Sequence, residues 1–222
     1  MPFHKFYSTI KHIFQYHFLI RKTLSHQEAI NKLKDWYDGL DTWFITSSDN
    51  VLVEDKVDNT LYGEITYEGM SMLANKLNLS KEDIFYDLGC GLGKLVTYMY
   101  LTSPINKSIG IEMVGQRYSV AKLVQEIATA EGFVVPQCKL EFIHNNIRNE
   151  NFLDATVIFM SSLCFPMELM EELNQKFVKL HKGLRIISLI NLPKHPSLAL
   201  KEISILPMSW NNASNIYYYE LI

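Results

Sequence analysis

The chain is poor in the residues that build several whole classes of protein. Its three cysteines, Cys90, Cys138 and Cys164, are scattered through 222 residues. That is too few for a disulfide scaffold or a zinc site, and it points to a reducing, intracellular compartment. Ten glycines and seven prolines exclude a collagen-like repeat, and an apolar share of 48% excludes a disordered chain. No apolar run approaches the roughly 18–20 residues that a membrane-spanning helix requires. The seven histidines show no metal-ligand spacing, so no metal is expected. The first 22 residues lack acids, an uninterrupted apolar core and a small-residue cleavage site, which excludes a signal peptide. With Arg21 as their single arginine they are also a poor match to a mitochondrial presequence.

What is present is first a division of charge. The net charge is −3. Residues 1–34 carry Lys5, Lys11, Arg21, Lys22, Lys32 and Lys34 against Glu28, or +5, and the remaining 15 bases and 23 acids give −8. A basic arm precedes an acidic body, which suits either an anionic partner or a solvated helix face. Nucleic acid is a partner that composition permits but does not support.

The patterning separates a helical extension and linker over 1–60 from a domain over 61–222. Residues 1–22 read as an amphipathic helix packing Phe, Ile and Tyr, and the polar stretch 45–60 reads as a linker or flap. Ser25 and Glu28 form a capping-box pattern before Ile30, Leu33, Trp36 and Tyr37 at helical spacing, ended by Gly39. Beyond residue 62, short apolar runs alternate with helical ones. Strands are expected at 84–88, 108–112, 140–143, 155–160 and 185–190. Helices are expected at 67–78, up to about 102, at 115–131 and from Pro166 to Gly183. Two last strands, about 202–208 and 215–222, flank a loop at 210–214. Met70, Met72, Met167 and Met170 are expected in the core. Alternating buried strands and helices specify an α/β fold, a doubly wound, mostly parallel seven-stranded sheet of Rossmann-like type with an antiparallel far edge.

The sharpest motif is Asp87-Leu88-Gly89-Cys90-Gly91-Leu92-Gly93, between a buried strand and a helix. Glycines there let a ligand approach the backbone and the helix N-terminus. Glu112 ends the next strand, where an acid reaches the two ribose hydroxyls of a nucleoside. A dinucleotide site prefers Gly-x-Gly-x-x-Gly, whereas Gly93 comes one residue early. Asp87, ahead of the glycines, suits a cofactor with a free amino-acid end, namely S-adenosyl-L-methionine. Asn146 after the third strand is a candidate for an adenine edge, with Ile147 beside it. Ser161 and Ser162 end the fourth strand, where the sulfonium methyl is expected. Cys90 and Cys164 read as space-fillers.

Taken in order, Tyr62-Gly63-Glu64-Ile65-Thr66-Tyr67, the glycine-rich turn, Gly110-Ile111-Glu112, the run Thr156–Phe165, and Ser209-Trp210 followed by Tyr217-Tyr218 resemble the non-SET histone lysine methyltransferases, the disruptor of telomeric silencing family. The resemblance spans about 62–222. It implies a class I S-adenosylmethionine-dependent methyltransferase in which Asp87, Gly89, Gly91, Gly93 and Glu112 hold the cofactor. The Tyr62–Ile65 loop, with Glu64, would close over its methionine end. Tyr217 matches a tyrosine walling the lysine channel, Ser161 an asparagine beside the methyl, and Asn146 an adenine-binding aspartate. Lys94 stands where the family has Gln or Asn, and Ile65 where a cofactor-contacting threonine is expected, with Thr66 adjoining.

The expected chemistry is in-line methyl transfer to a protein lysine in an aromatic channel of Tyr62, Tyr217, Phe159 and Phe165, with Tyr217 or Ser161 positioning the nitrogen. A methyltransferase of the same fold acting on RNA or a small molecule, and a cofactor-binding module without catalysis, are the alternatives. The compartment would be cytoplasmic, or nuclear in a eukaryote, and the oligomeric state is left open.

Overall fold

The computed structural model describes residues 21–40 and 63–222. The expected helix at 1–22 lies outside the described residues up to position 20, and its last two residues, Arg21 and Lys22, are not helical; the linker at 45–60, the boundary at 60/61 and Tyr62 also lie outside the described residues. The elements run in the order α1 (His26–Tyr37), α2 (Tyr67–Leu77), β1 (Ile84–Leu88), α3 (Lys94–Thr102), β2 (Lys107–Glu112), α4 (Gly115–Ala130), β3 (Lys139–His144), β4 (Val157–Met160), a 3-10 turn (Ser162–Cys164), α5 (Met167–Phe177), β5 (Arg185–Ser188), β6 (Leu198–Met208) and β7 (Asn211–Leu221). No described helix is long and apolar enough to cross a membrane.

The capping box forms as read: the Ser25 hydroxyl accepts from the Glu28 N–H while Glu28 accepts from the Ser25 N–H. The buried face of α1, Ala29, Leu33, Trp36 and Tyr37, joins the same core as α2, α3 and α4. This part of the extension is therefore built into the domain.

The seven strands follow the order β3-β2-β1-β4-β5-β7-β6, parallel except where β7 pairs with β5 and β6. Successive side chains alternate between two packed layers. Phe85, Phe159, Ile187 and Tyr218 face α1–α4. Tyr86, Leu88, Ile158, Met160 and Tyr219 face Met170, Leu173 and Phe177 of α5. The strand order reverses at β1, which has β2 on one side and β4 on the other. That reversal opens a crevice at the carboxyl ends of β1 and β4, where ligands of open α/β sheets bind.

Three expectations change. Helix α5 ends at Phe177, because Lys179 and Leu180 turn back by i→i−3 bonds to Lys176 and Phe177 before the left-handed Gly183. The last two strands are longer than their apolar patterns: Asn211–Ser214 is strand, paired with Leu206 and Met208, and the connection shrinks to Ser209-Trp210. Met70 and Met170 are buried, whereas Met72 and Met167 are exposed.

Candidate functional site

Strand β1 delivers Asp87 to the crevice and ends in the glycine-rich turn. Gly89, Gly91 and Gly93 adopt φ values of +83°, +56° and +79°, the left-handed region that disfavours a Cβ. At Gly93 the need is also one of packing, since a Cβ would fall 2.4 Å from the Phe142 ring. The Gly89 and Cys90 N–H groups both donate to the Ile111 carbonyl, at 2.9 and 3.0 Å, which ties the turn to β2. From the end of β2 the buried Glu112 accepts from the Gly91 N–H with one oxygen and from the Val114 N–H with the other, each at 2.8 Å.

Asp87 is 3% exposed. Its Oδ1 is buried with no hydrogen-bond partner among the described residues. Burial, and then the nearby Glu112 carboxylate, push its pKa well above the ordinary aspartate value. A buried carboxyl oxygen aimed into a crevice with no donor fits a ligand that brings one.

The opposite wall is a clasp made by distant parts of the chain. Ile65 forms an antiparallel bridge with Met208. The Glu64 N–H donates to the Ser209 hydroxyl at 3.0 Å, and the Ser209 N–H donates to the Glu64 carbonyl at 2.8 Å. Trp210 lies against Gly63 so closely that a Cβ there would be 2.0 Å from the indole. Glu64 is thereby held beside the first residue of α3, and the Lys94 ammonium meets its carboxylate at 2.7 Å with both side chains 18% exposed. Tyr37 of α1 steadies this corner, donating to the Leu92 carbonyl at 2.9 Å, with Lys94 5.4 Å from its ring. Burial first, with Glu64 also contributing, raises the Tyr37 pKa, so it stays a neutral donor.

Glu64, Ile65, Asp87, Gly89, Gly91, Lys94, Phe159 and Ser161 therefore line one crevice, with Met70 and Leu95 forming its apolar floor. Other expected residues stand elsewhere. Thr66 caps α2, accepting from Gly69 and donating to the Pro207 carbonyl, and does not line the crevice. Asn146 closes a local turn by accepting from the Arg148 N–H at 2.9 Å, and Ile147 is buried in the α5 layer. Phe165 lies at the rim, 3.2 Å from where a Gly89 Cβ would project. Tyr217 sits opposite Ser188 on β5, on the α5 side of the sheet, away from the face of Phe159. Ser162 is buried and shares a 2.7 Å hydrogen bond with Ser188. No group of three or more acids, histidines or cysteines suited to a metal occurs among the described residues.

Met70, Leu95, Tyr37 and the clasp were not expected at the crevice. The clasp had a faint signal in Ser209-Trp210, but the partner of that tryptophan is Gly63, far earlier in the chain. Chemically, the crevice sets an unpartnered carboxyl against a lysine, with a second carboxylate at the end of β2. That arrangement complements a zwitterionic amino-acid end and a diol.

Comparison with known proteins agrees with this geometry. The family model described as "Histone methylation protein DOT1" matches residues 45–206. A Drosophila melanogaster histone-lysine N-methyltransferase, H3 lysine-79 specific, is 28% identical over 134 residues, 58% of this chain and 7% of the fly protein. Its namesake from Caenorhabditis elegans is 30% identical over 138 residues, 57% of this chain and 14% of that protein. The chain thus corresponds to a small part of these much longer relatives. Among solved structures, an RNA methyltransferase from Salinibacter ruber in complex with S-adenosyl-L-homocysteine superimposes with TM-score 0.50 at 16% identity, covering 68% of this chain and 89% of that one. TrmN from Thermus thermophilus gives TM-score 0.51 at 16% identity over 69% of this chain and 48% of that one. At such identities these structures bear on the fold alone, which they share.

Proposed function

The chain belongs to the DOT1 family of histone methylation proteins, and from that membership and its crevice we infer that it is an S-adenosyl-L-methionine-dependent methyltransferase acting on a lysine side chain of a protein. The observation that carries the cofactor assignment is Asp87, a buried carboxyl whose Oδ1 has no partner among the described residues, in one crevice with Lys94. An α-ammonium gives Asp87 the donor it lacks, and Lys94 can turn from Glu64 to an α-carboxylate. Glu112 already accepts two backbone N–H groups. A carboxylate has about four lone-pair sites, so two ribose hydroxyls can join them. Asn146 retains its amide N–H for an adenine edge, although its oxygen is engaged in the local turn.

When bound, the cofactor supplies a methyl on a positively charged sulfur, activated without help from the protein. What the chain contributes is position and dryness. Phe159, Met70 and Leu95 present an apolar wall on which a lysine amine is favoured in its neutral, nucleophilic form. Ser161 lines the crevice immediately after β4 and can accept from the incoming amine. Tyr217 reaches this reaction only from the far face of the sheet, through Ser188 and Ser162, so its role is in the substrate's approach. The short hydroxyl of Ser161 is the observation that favours a second reading, the same chemistry on RNA or a small molecule. The H3 lysine-79 specificity for which its relatives are named favours a nuclear setting if the source is eukaryotic.

The test is methyl transfer from labelled S-adenosyl-L-methionine in a lysate of the source cell. Label on lysine of a protein, abolished by Glu112→Ala, supports the reading; label confined to RNA or small molecules overturns it.

A further inference from the structure

Among the described residues, the sheet carries an uncovered apolar face next to this site. On the α5 side, α5 covers β4 and β5, but the connection over residues 189–197 contains no helix. That connection packs over Tyr219, whose hydroxyl takes the Leu192 N–H and donates to Asn191, and its Ile190 and Leu192 join the cluster that also takes in Tyr217. Beyond it the β6–β7 hairpin runs past the end of β5, which stops at Ser188 opposite Tyr217. On the same face, Ile203 stands opposite Tyr217 and Ile205 opposite Asn215. Ile203 and Ile205 are 53% and 54% exposed. Across the Ser162–Ser188 hydrogen bond, the 3-10 turn and the start of α5 present Leu163 and Met167, 50% and 62% exposed.

Two features say what such a face receives. It adjoins the candidate site: Ser161 lines the crevice two residues before the exposed Leu163, and beneath the surface the buried Ser162 bonds the buried Ser188, which opposes Tyr217, itself opposite Ile203. Its own segments carry acids and no base, the exposed Lys194 standing on the 189–197 connection. Residues 203–219 contain no charged side chain, and residues 155–175 contain Glu168, Glu171 and Glu172 but no base. Glu172 is paired with Arg148, while Glu168 and Glu171 are exposed. A phosphate backbone needs bases where it docks, whereas apolar side chains and a basic lysine segment are welcomed here.

We propose that this face, from Leu163 and Met167 across to Ile203 and Ile205, docks an extended stretch of the protein substrate, with apolar side chains flanking the target lysine. The proposal rests on the lysine-methyltransferase reading and adds the sequence class that the enzyme selects.

The test offers the full chain, with labelled S-adenosyl-L-methionine, a peptide library of randomised positions around one fixed lysine, and total RNA in parallel. The expected result is enrichment of aliphatic and aromatic residues within a few positions of the lysine. I203T/I205T keeps β-branched side chains on an exposed strand, so the fold and cofactor affinity persist. It should lower kcat/KM on the preferred peptide about tenfold through KM, and flatten the preference. Leu123→Thr, an exposed position on α4, is the control and should change neither. Lysine labelling indifferent to its neighbours and unaffected by I203T/I205T overturns the docking face and leaves the methyltransferase reading standing. A wild-type dimer that I203T/I205T dissociates in sedimentation, with unchanged peptide kinetics, assigns the face to a second copy and overturns the proposal. A chain that labels lysine in lysate proteins but in no peptide overturns the docking face alone, and one that binds the cofactor and labels no lysine in peptide or protein, whether or not it labels RNA, overturns both.

Discussion

At Asp87 a desolvated carboxyl has a raised pKa, and in the proposed complex it meets the cofactor's ammonium. Binding then requires its ionised form, so cofactor affinity depends on protonation in a definite sense. With the free-state pKa raised, affinity should be full at higher pH and fall as pH drops through that value, with proton release on binding. Calorimetry from acidic to mildly alkaline pH, in buffers of differing ionisation enthalpy, reads both quantities. Asp87→Asn should weaken cofactor binding about 10–100-fold, the cost of one charge-assisted hydrogen bond, and abolish the proton release. Affinity that is independent of pH in the parent chain would contradict this role. Lys94 and Glu64 form an exchangeable pair 2.7 Å apart. Lys94→Gln should raise the cofactor Kd several-fold. If Lys94 exchanges partners, the combination with Glu64→Gln should be clearly non-additive in a double-mutant cycle, whereas simple addition would mean that the pair acts only as a strut.

At the scale of elements, the crevice depends on two close approaches that glycine permits. Gly93→Ala puts a methyl into Phe142 and strains a left-handed backbone. It should cost about 2–3 kcal/mol of stability in thermal or denaturant melts. Gly63→Ala and Trp210→Ala loosen the clasp from opposite sides; both should weaken cofactor binding about tenfold while barely moving Tm. A loss of Tm comparable with that of Gly93→Ala would instead make the clasp part of the core.

The elements were legible where local pattern decides them. Buried runs such as Ile84–Leu88, the glycine-rich turn and Glu112 sit where the motif requires them. The clasp was not legible, because Ile65 meets Met208 through a pairing that no local periodicity encodes. Nor was the extent of the last hairpin, since Asn211–Ser214 carry turn-forming side chains on a strand whose outer end faces solvent. For Tyr217 one step of strand alternation decided the matter: its neighbours Ile216 and Tyr218 take the crevice side of the sheet, leaving Tyr217 on the other.

For the whole molecule, the division between a basic arm and an acidic body becomes more exact. Part of the arm is attached. Arg21 donates to the Ser103 and Ile105 carbonyls at 2.6 Å each and stacks 4.1 Å above Tyr100, and Lys32 pairs with Glu131 at 2.8 Å. The capping box and the buried face of α1 anchor the same region. Ser25→Ala should therefore lower global stability by about 1 kcal/mol rather than fray a separate tail. The acids on the body to which the proposed function assigns a role are Asp87 in the crevice and Glu112 at the end of β2, with Glu168 and Glu171 exposed on α5. In the proposed complex these groups stand on the two sides of Ser161, with the cofactor on one and the substrate on the other.

The most direct measurement of that division is mass spectrometry of proteins from the source cell after incubation with the purified chain and deuterated-methyl S-adenosyl-L-methionine. The expected result is label on lysine side-chain nitrogen of one or a few proteins, lost with Glu112→Ala. Label on nucleic acid or small molecules with none on protein lysine would contradict the account.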